Sequence, residues 1–305
     1  MAVGSKLRDV VHALDGRVHV ARAAGREGIA ERIEGLTFLD PVANLLQRGV
    51  RKAIPQETTA KDVLSGTWLG HPVHPPLTDV VVGTWTSAWL LDATGQRGRA
   101  ASKVLLGAGI AAALPTAASG LSDWAELRGG TRRVGLVHAL GNTTALTLQI
   151  FSLRARLRGE RWKGVGLSTL AMTVAGGSAW LGGHLSFGRG VGVDQTAFEE
   201  LPESWTAVAD ASQLGEQPLR GTAGEAGVVL VRSGAEIHAL ADRCSHRGCS
   251  LAEGTVRAGT IICKCHGSTF ALDGSVLRGP ATAPQPALEV RVREGKVEVR
   301  RPASP

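Results

Sequence analysis

The chain has no tyrosine and only 5 phenylalanines in 305 residues, so it lacks the aromatic platform on which single-stranded nucleic acids stack. Acidic residues are the minority, 27 against 34 Lys and Arg, but the resulting charge of +7 is modest for this length and gives no polybasic tract. Nucleic acid is therefore not an expected partner. No G-x-G-x-x-G run follows a predicted strand, which removes the usual signature of a nicotinamide or flavin site. Residues 1–64 carry charge throughout and lack the basic, apolar and small-residue order of a secretory signal. Cysteine is missing from the whole first part of the chain. All 4 cysteines fall between Cys244 and Cys265.

What the first part does contain is long uncharged sequence. Val104–Ser122, Gly135–Leu153 and Gly164–Gly188 have no Asp, Glu, Lys or Arg, and each is long enough to cross a hydrocarbon core as a helix. A shorter run, Val80–Leu91, sits between Asp79 and Asp92, and with helical flanks over 76–94 it makes a fourth span. Gly107, Gly109, Gly176, Gly177 and Ala111–Ala113 suit close helix packing in lipid, and Pro115 does not exclude a membrane helix. Before these spans, Phe38, Leu39, Val42, Leu45, Leu46 and Val50 recur at helical spacing with Arg48, Arg51 and Lys52 between them. This pattern predicts a helix lying on the membrane surface or on the bundle. A count of Lys and Arg near the span ends places both termini outside the cytoplasm.

Four alternating spans bring His71, His74, Asp79, Asp123, Trp124, His138 and His184 to one membrane face. Polar groups at such depth are expensive unless paired or bound. Two readings follow: interfacial histidines satisfied by water, caps or one another, or a site in which imidazoles ligate haem iron or hydrogen-bond a quinone head group. The strings GTWLGHPVHPPLTDVVVGTW (66–85) and GGHLSFGRGVGV (182–193) resemble a bacterial family of four-span membrane proteins with an HPxHP motif. That resemblance bears on the span count more than on chemistry.

The second part carries the chemistry. Cys244-Ser245-His246 and Cys263-Lys264-Cys265-His266 together offer two Cys and two His ligands, the donor set of tetrahedral zinc or of a two-iron two-sulfur centre with mixed ligation. The neighbouring residues separate these. CSHRGCSL (244–251) and CKCHGSTF (263–270) resemble the two cluster-binding boxes of Rieske proteins, and GPATAPQP (279–286) resembles the proline loop that covers the cluster there. The resemblance implies a 2Fe-2S cluster held by Cys244, His246, Cys263 and His266, with Ser268 donating to a bridging sulfide. It also implies a disulfide between Cys249 and Cys265, as in the respiratory subgroup, which favours a non-reducing compartment.

Neutral imidazole in place of thiolate removes negative charge from one iron and raises the potential above that of an all-cysteine cluster. Phe270 stands where the highest-potential members have a tyrosine, and Arg247 where respiratory members have an apolar residue against the quinol pocket. An intermediate potential is expected.

Around the boxes the chain is strand-like. Gly227–Arg232 and Glu236–Ala241 are β-rich, Asp273-Gly274 is a turn signal, and Leu288, Val290, Val292, Val297 and Val299 alternate about Glu294-Gly295. His238 falls in a strand and is expected to be structural; His12 and His19 belong to the charged amino-terminal tail.

The expected architecture is multidomain: amphipathic and charged helices over 1–64, an α-helical four-span bundle over 65–189, a linker over 190–203, and an all-β Rieske domain over 204–303. The expected function is one-electron transfer by a membrane-anchored protein in a respiratory or redox chain, with the bilayer and a redox protein or the quinone pool as partners. The competing expectation is a redox enzyme in which His71, His74, His138 and His184 hold haem b or quinone. An oxygenase catalytic subunit is not expected, because after the cluster residues no soluble stretch is long enough to hold a second iron site with two His and one carboxylate.

Overall fold

The computed structural model describes residues 28–95 and 97–303; His12 and His19 lie outside the described residues. Among the described residues, helices run as far as Gly188 and the strands lie from Thr206 onward. The first three α-helices described are short: α1 (Ile29–Gly35), α2 (Asp40–Ala53) and α3 (Thr59–Ser65). Four long ones follow: α4 (His74–Asp92), α5 (Arg99–Trp124), α6 (Gly129–Leu157) and α7 (Arg161–Gly183), the last running on into one π-helical turn at His184–Gly188.

Each uncharged run found in the sequence lies in one of the long helices. Two of them, Arg99–Trp124 and Arg161–Gly188, are long and apolar enough to cross a membrane. The α4 helix is 19 residues, and α6 begins and ends with arginines at 132, 133, 154 and 156. Small residues set the closest approaches. A Cβ added to Gly109 would lie 2.4 Å from the indole of Trp85, so this glycine is what lets α5 pack on α4. Pro115 is accommodated inside α5, with the helix continuing on both sides.

The end of the bundle away from the termini of α5 and α6 that face the β domain is closed by one ion pair. Arg156 meets Asp92 at 2.5 Å, both side chains are buried, and Ser102 Oγ completes the group with a 3.1 Å bond to Asp92 and a 3.0 Å bond to the Ala88 carbonyl. The opposite end is capped by the amino-terminal helices. Gln47 on α2 donates to the carbonyls of Trp124 and Leu127 at 3.0 Å, and Arg51 donates to that of Ala125 at 2.6 Å, satisfying acceptors that the end of α5 leaves open. Ala43 and Gln47 form the buried face of α2, while Phe38, Val42, Leu45 and Leu46 are exposed. The apolar stripe predicted for 36–54 is therefore divided: Leu39 and Val50, with Ala43, pack against the apolar cluster of Trp124, Leu127 and Val134, while Phe38, Val42, Leu45 and Leu46 face outward. Gln47 and Arg51 add bonds to the open helix carbonyls on the packed side.

The carboxy-terminal part is all β. One antiparallel sheet has the order β1-β10-β9-β4-β3-β2 and a second the order β5-β6-β7-β8. The strands are β1 (Thr206–Asp210), β2 (Leu219–Ala223), β3 (Ala226–Ser233), β4 (Glu236–Ala241), β5 (Thr255–Arg257), β6 (Thr260–Ile262), β7 (Thr269–Ala271), β8 (Val276–Arg278), β9 (Ala287–Arg293) and β10 (Lys296–Arg300). The alternation at 288–299 becomes the β9–β10 hairpin, in which Val292 pairs with Val297 and Val290 with Val299 across a turn at Glu294-Gly295. His238 sits in β4 opposite Val231, as a strand residue. Two clusters fill this domain: Val228, Leu230, Val297 and Val299 are buried in one, and Phe270 and Ile261 of the smaller sheet pack with Val229, Val231 and Leu240 in the other.

Removing one partner from a buried ion pair leaves an uncompensated charge. Arg156→Ala is therefore expected to destabilise the helical domain by about 3–5 kcal/mol, read as a fall in thermal midpoint in detergent, with Arg156→Lys recovering part of it.

Candidate metal centre at the tip of the β domain

Two loops meet at one end of the β domain, the first joining β4 to β5 and the second joining β6 to β7. They are built alike. Cys244 accepts from Gly248 N at 2.8 Å through its carbonyl and Cys263 from Gly267 N at 3.0 Å, and both glycines have positive φ, 72° and 78°. Each loop thus closes over four residues on a glycine that tolerates the left-handed conformation. Cys244 N donates to Cys249 O and Cys263 N to Ser268 O, both at 2.8 Å. A disulfide between Cys249 and Cys265 joins the two loops, with Cα atoms 6.5 Å apart.

The remaining cysteines, Cys244 and Cys263, are free and buried. Their thiols hydrogen-bond to each other, which pulls Cys263 down to about 7 and pushes Cys244 up. The two thiols thus lie within reach of one another, as two ligands of one metal would. The rings of His246 and His266 lie edge to face with centroids 5.0 Å apart. Burial pushes both imidazoles below the usual range, His246 well below it; the nearby cations Lys61 and Arg247 act in the same direction, while Glu126 opposes the shift at His266. Both rings are therefore held neutral, the form that ligates metal. Nδ1 of His246 is buried without a protein partner. Two thiols, two neutral imidazoles and an orphaned ring nitrogen fit an iron–sulfur group.

The third loop covers the other two. Ser268 Oγ accepts from Ala281 N at 3.0 Å, which leaves its own hydrogen to be donated elsewhere. Gln285 is 1% exposed; it accepts from Ser245 N at 3.0 Å and donates to the carbonyls of Ala241 and Arg243 at 2.7 and 2.8 Å. Asp242, also buried, accepts from Ser250 Oγ and Ala252 N. These two side chains hold the first box in shape.

The chain matches a family model described as "Rieske [2Fe-2S] domain" over 204–293, and a second described as "Predicted membrane protein (DUF2231)" over 70–195. It is 35% identical over 102 residues to "Ferredoxin CarAc" of Metapseudomonas resinovorans, which is 32% of this chain and 95% of that protein. The chain belongs to the Rieske [2Fe-2S] family. It is also 33% identical over 72 residues to the "Cytochrome b6-f complex iron-sulfur subunit" of Chlorobaculum tepidum, spanning 24% of this chain and 39% of that one. Among solved structures it is similar to the "Complex of reduced oxygenase and oxidized ferredoxin in carbazole 1,9a-dioxygenase", with 34% identity, a TM-score of 0.30, and coverage of 32% of this chain and 92% of the other. The Rieske domain implies a 2Fe-2S cluster, and Cys244, Cys263, His246 and His266 are the residues able to hold it.

The bundle histidines are placed differently. His138 has a partner at each ring nitrogen, the Ser178 carbonyl at 2.7 Å on Nδ1 and Asn142 Nδ2 at 3.1 Å on Nε2, and its ring packs over Gly182. His74 Nδ1 is 3.0 Å from the Thr116 carbonyl, His71 Nδ1 is 3.0 Å from that of Pro72, and His184 Nε2 is 3.3 Å from Glu34. Each has a hydrogen-bond partner in the protein. Among the described residues, the group of metal-capable side chains that does gather is Cys249, Cys263 and Cys265.

Sequence reading passed over several residues that shape this site. Lys61 and Glu126, from the helical domain, lie at the Rieske tip: Glu126 Oε2 is 3.6 Å from His266 Nε2, and Lys61 Nζ is 2.9 Å from Glu126 Oε1. A cavity of about 40 Å³ lies between the domains, lined in part by Asp123, Glu126, Ser245, His246 and Arg247. It has room for a few waters.

The disulfide closes a short loop, so its loss removes a constraint on the unfolded chain worth about 3 kcal/mol. Replacing Cys249 and Cys265 together by alanine is expected to lower the temperature at which the cluster's visible absorption is lost, with iron and sulfide content unchanged at low temperature.

Proposed function

We propose that this protein is a membrane-anchored one-electron carrier, in which Cys244 and Cys263 hold one iron of the cluster and His246 and His266 the other. The observation that carries this reading is the convergence of two linked thiols and two neutral imidazoles at the tip of a Rieske domain continuous with a membrane-type helical domain. When bound, the cluster supplies reversible uptake of a single electron. The chain's own residues set its surroundings. Cys249–Cys265 ties the loops, Gln285 and Asp242 fix the first box, and Ser268 presents a hydroxyl whose lone pair is already taken by Ala281 N.

We place α4 to α7 as four membrane spans, with the Rieske domain outside the cytoplasm. The pairing of Cys249 with Cys265 supports a non-reducing side. The similarity to subunits of cytochrome b6-f complexes supports a redox protein or the quinone pool of an electron-transfer chain as partner. Arg247, half-buried and charged, stands at the cavity beside His246 and disfavours a quinol site of the apolar kind there. The engagement of both nitrogens of His138 supports the carrier over a haem-binding bundle.

The reduced-minus-oxidised visible spectrum of the purified protein tests this. Broad bleaching of an iron–sulfur centre, unchanged in His138→Ala and His184→Ala, is the expected result; a sharp haem band abolished by either substitution would overturn it. Ser268→Ala is expected to lower the reduction potential of the centre in a spectroscopically monitored redox titration, since it removes a donor to the cluster.

A further inference from the structure

The histidine edge of a mixed-ligand cluster is its natural outlet, yet here it does not face solvent. The Rieske tip is seated on the end of the helical domain. Asp62 on α3 accepts from Gly279 N at 2.8 Å, Thr67 Oγ1 donates to the Ala281 carbonyl at 3.2 Å, and Arg278 donates to the Glu57 carbonyl at 2.5 Å. On the far side of the tip, Gln195 N donates to the Ser245 carbonyl at 2.9 Å. His266 is 8% exposed as a result.

Inside this ring of contacts Asp123 and Glu126 line the cavity between the domains, and Glu126 is the carboxylate that faces His266. Glu126, 4% exposed, follows directly on the end of α5. Its Oε1 is bound by Lys61 Nζ at 2.9 Å and its Oε2 accepts from Gln56 Nε2 at 3.2 Å. Lys61 is in turn fixed by the carbonyl and hydroxyl of Ser122 at 2.9 and 3.0 Å. The same Oε2 faces His266 Nε2 at 3.6 Å, and that nitrogen has no hydrogen-bond partner in the protein. Burying a carboxylate and an ammonium is expensive, and an apolar pair would cap α5 at lower cost. A carboxylate aimed at the outer nitrogen of a ligating imidazole makes that ligand a stronger electron donor and fixes its ring.

We propose that the helical domain is the docking partner of the cluster's histidine edge, and that Glu126 is the positioning residue for His266, with Lys61 as its counter-charge. The inference rests on His266 being a cluster ligand, as read above. The two side chains then act on the cluster with opposite sign. The negative charge of Glu126 opposes the arrival of an electron, whereas the positive charge of Lys61 favours it.

The test is a redox titration of the full-length holoprotein in detergent, followed by the electron paramagnetic resonance of the reduced cluster, for wild type, Glu126→Gln and Lys61→Gln. Glu126→Gln should raise the potential and Lys61→Gln should lower it, each moving the electron equilibrium by about tenfold, or roughly 59 mV for one electron. Glu126→Asp should return part of the shift. If neither variant moves the potential, or if both move it in the same direction, the proposal is overturned, because simple loss of docking would carry both to one common value. A wild-type resonance lacking the signature of imidazole ligation would instead sink the assignment of His266. That outcome is read before any variant is made, so the two failures are distinct.

Discussion

The arrangement of the whole chain depends on how the carboxy-terminal end of α5 is satisfied. A helix end leaves carbonyls without partners, and a buried end must find donors or be destabilised. Here Gln47, Arg51 and Lys61, from two different amino-terminal helices, supply them at Trp124, Ala125, Leu127 and Ser122. The same Lys61 takes the charge of Glu126, and the helix that carries it, α3, also carries Asp62, which receives the Rieske tip. One set of side chains therefore closes the helical domain, orients its amino-terminal segment and forms the seat for the β domain. None of the three can be rearranged alone.

The metal centre was legible in the sequence because its parts are local. Two boxes of a few residues each hold the cysteines and histidines, so spacing gives the donor set, and the resemblance of the boxes to those of Rieske proteins separates a cluster from zinc and pairs the other two cysteines. The β9–β10 hairpin and strand β4 were legible for the same reason, since alternation and a Glu-Gly turn act within a dozen residues. Gln285 was within a segment recognised for its prolines, but its role depends on three backbone groups of a loop some forty residues earlier. Lys61 and Glu126 were invisible as a pair for a stronger reason: they sit 65 positions apart, and in the sequence each is an ordinary charge near a span end.

The histidine-rich face shows where pattern and structure part. Alternating helices do bring His74, His138 and His184 toward one end of the bundle, and the Rieske tip sits at that end. Small residues opposite them decide what they do. Gly120 lies under His74 and Gly182 under His138, so the rings fill helix crossings and bond to neighbouring carbonyls. The amphipathic helix α2 teaches the complementary point. Its helical spacing was legible, but which residues pack was not: Leu39, Ala43 and Val50 join an apolar cluster at the bundle end, Gln47 and Arg51 reach backbone acceptors beside it, and Phe38, Val42, Leu45 and Leu46 stay exposed.

The depth of the thiols has a consequence for how the protein is made. Cys244 and Cys263 are 1% and 2% exposed, and the imidazoles are closed over by α3 and the end of α5. Loading of iron and sulfide therefore calls for a local opening of the loops or of the contact between the domains, and the same opening is what loss of the inorganic core to solvent would require.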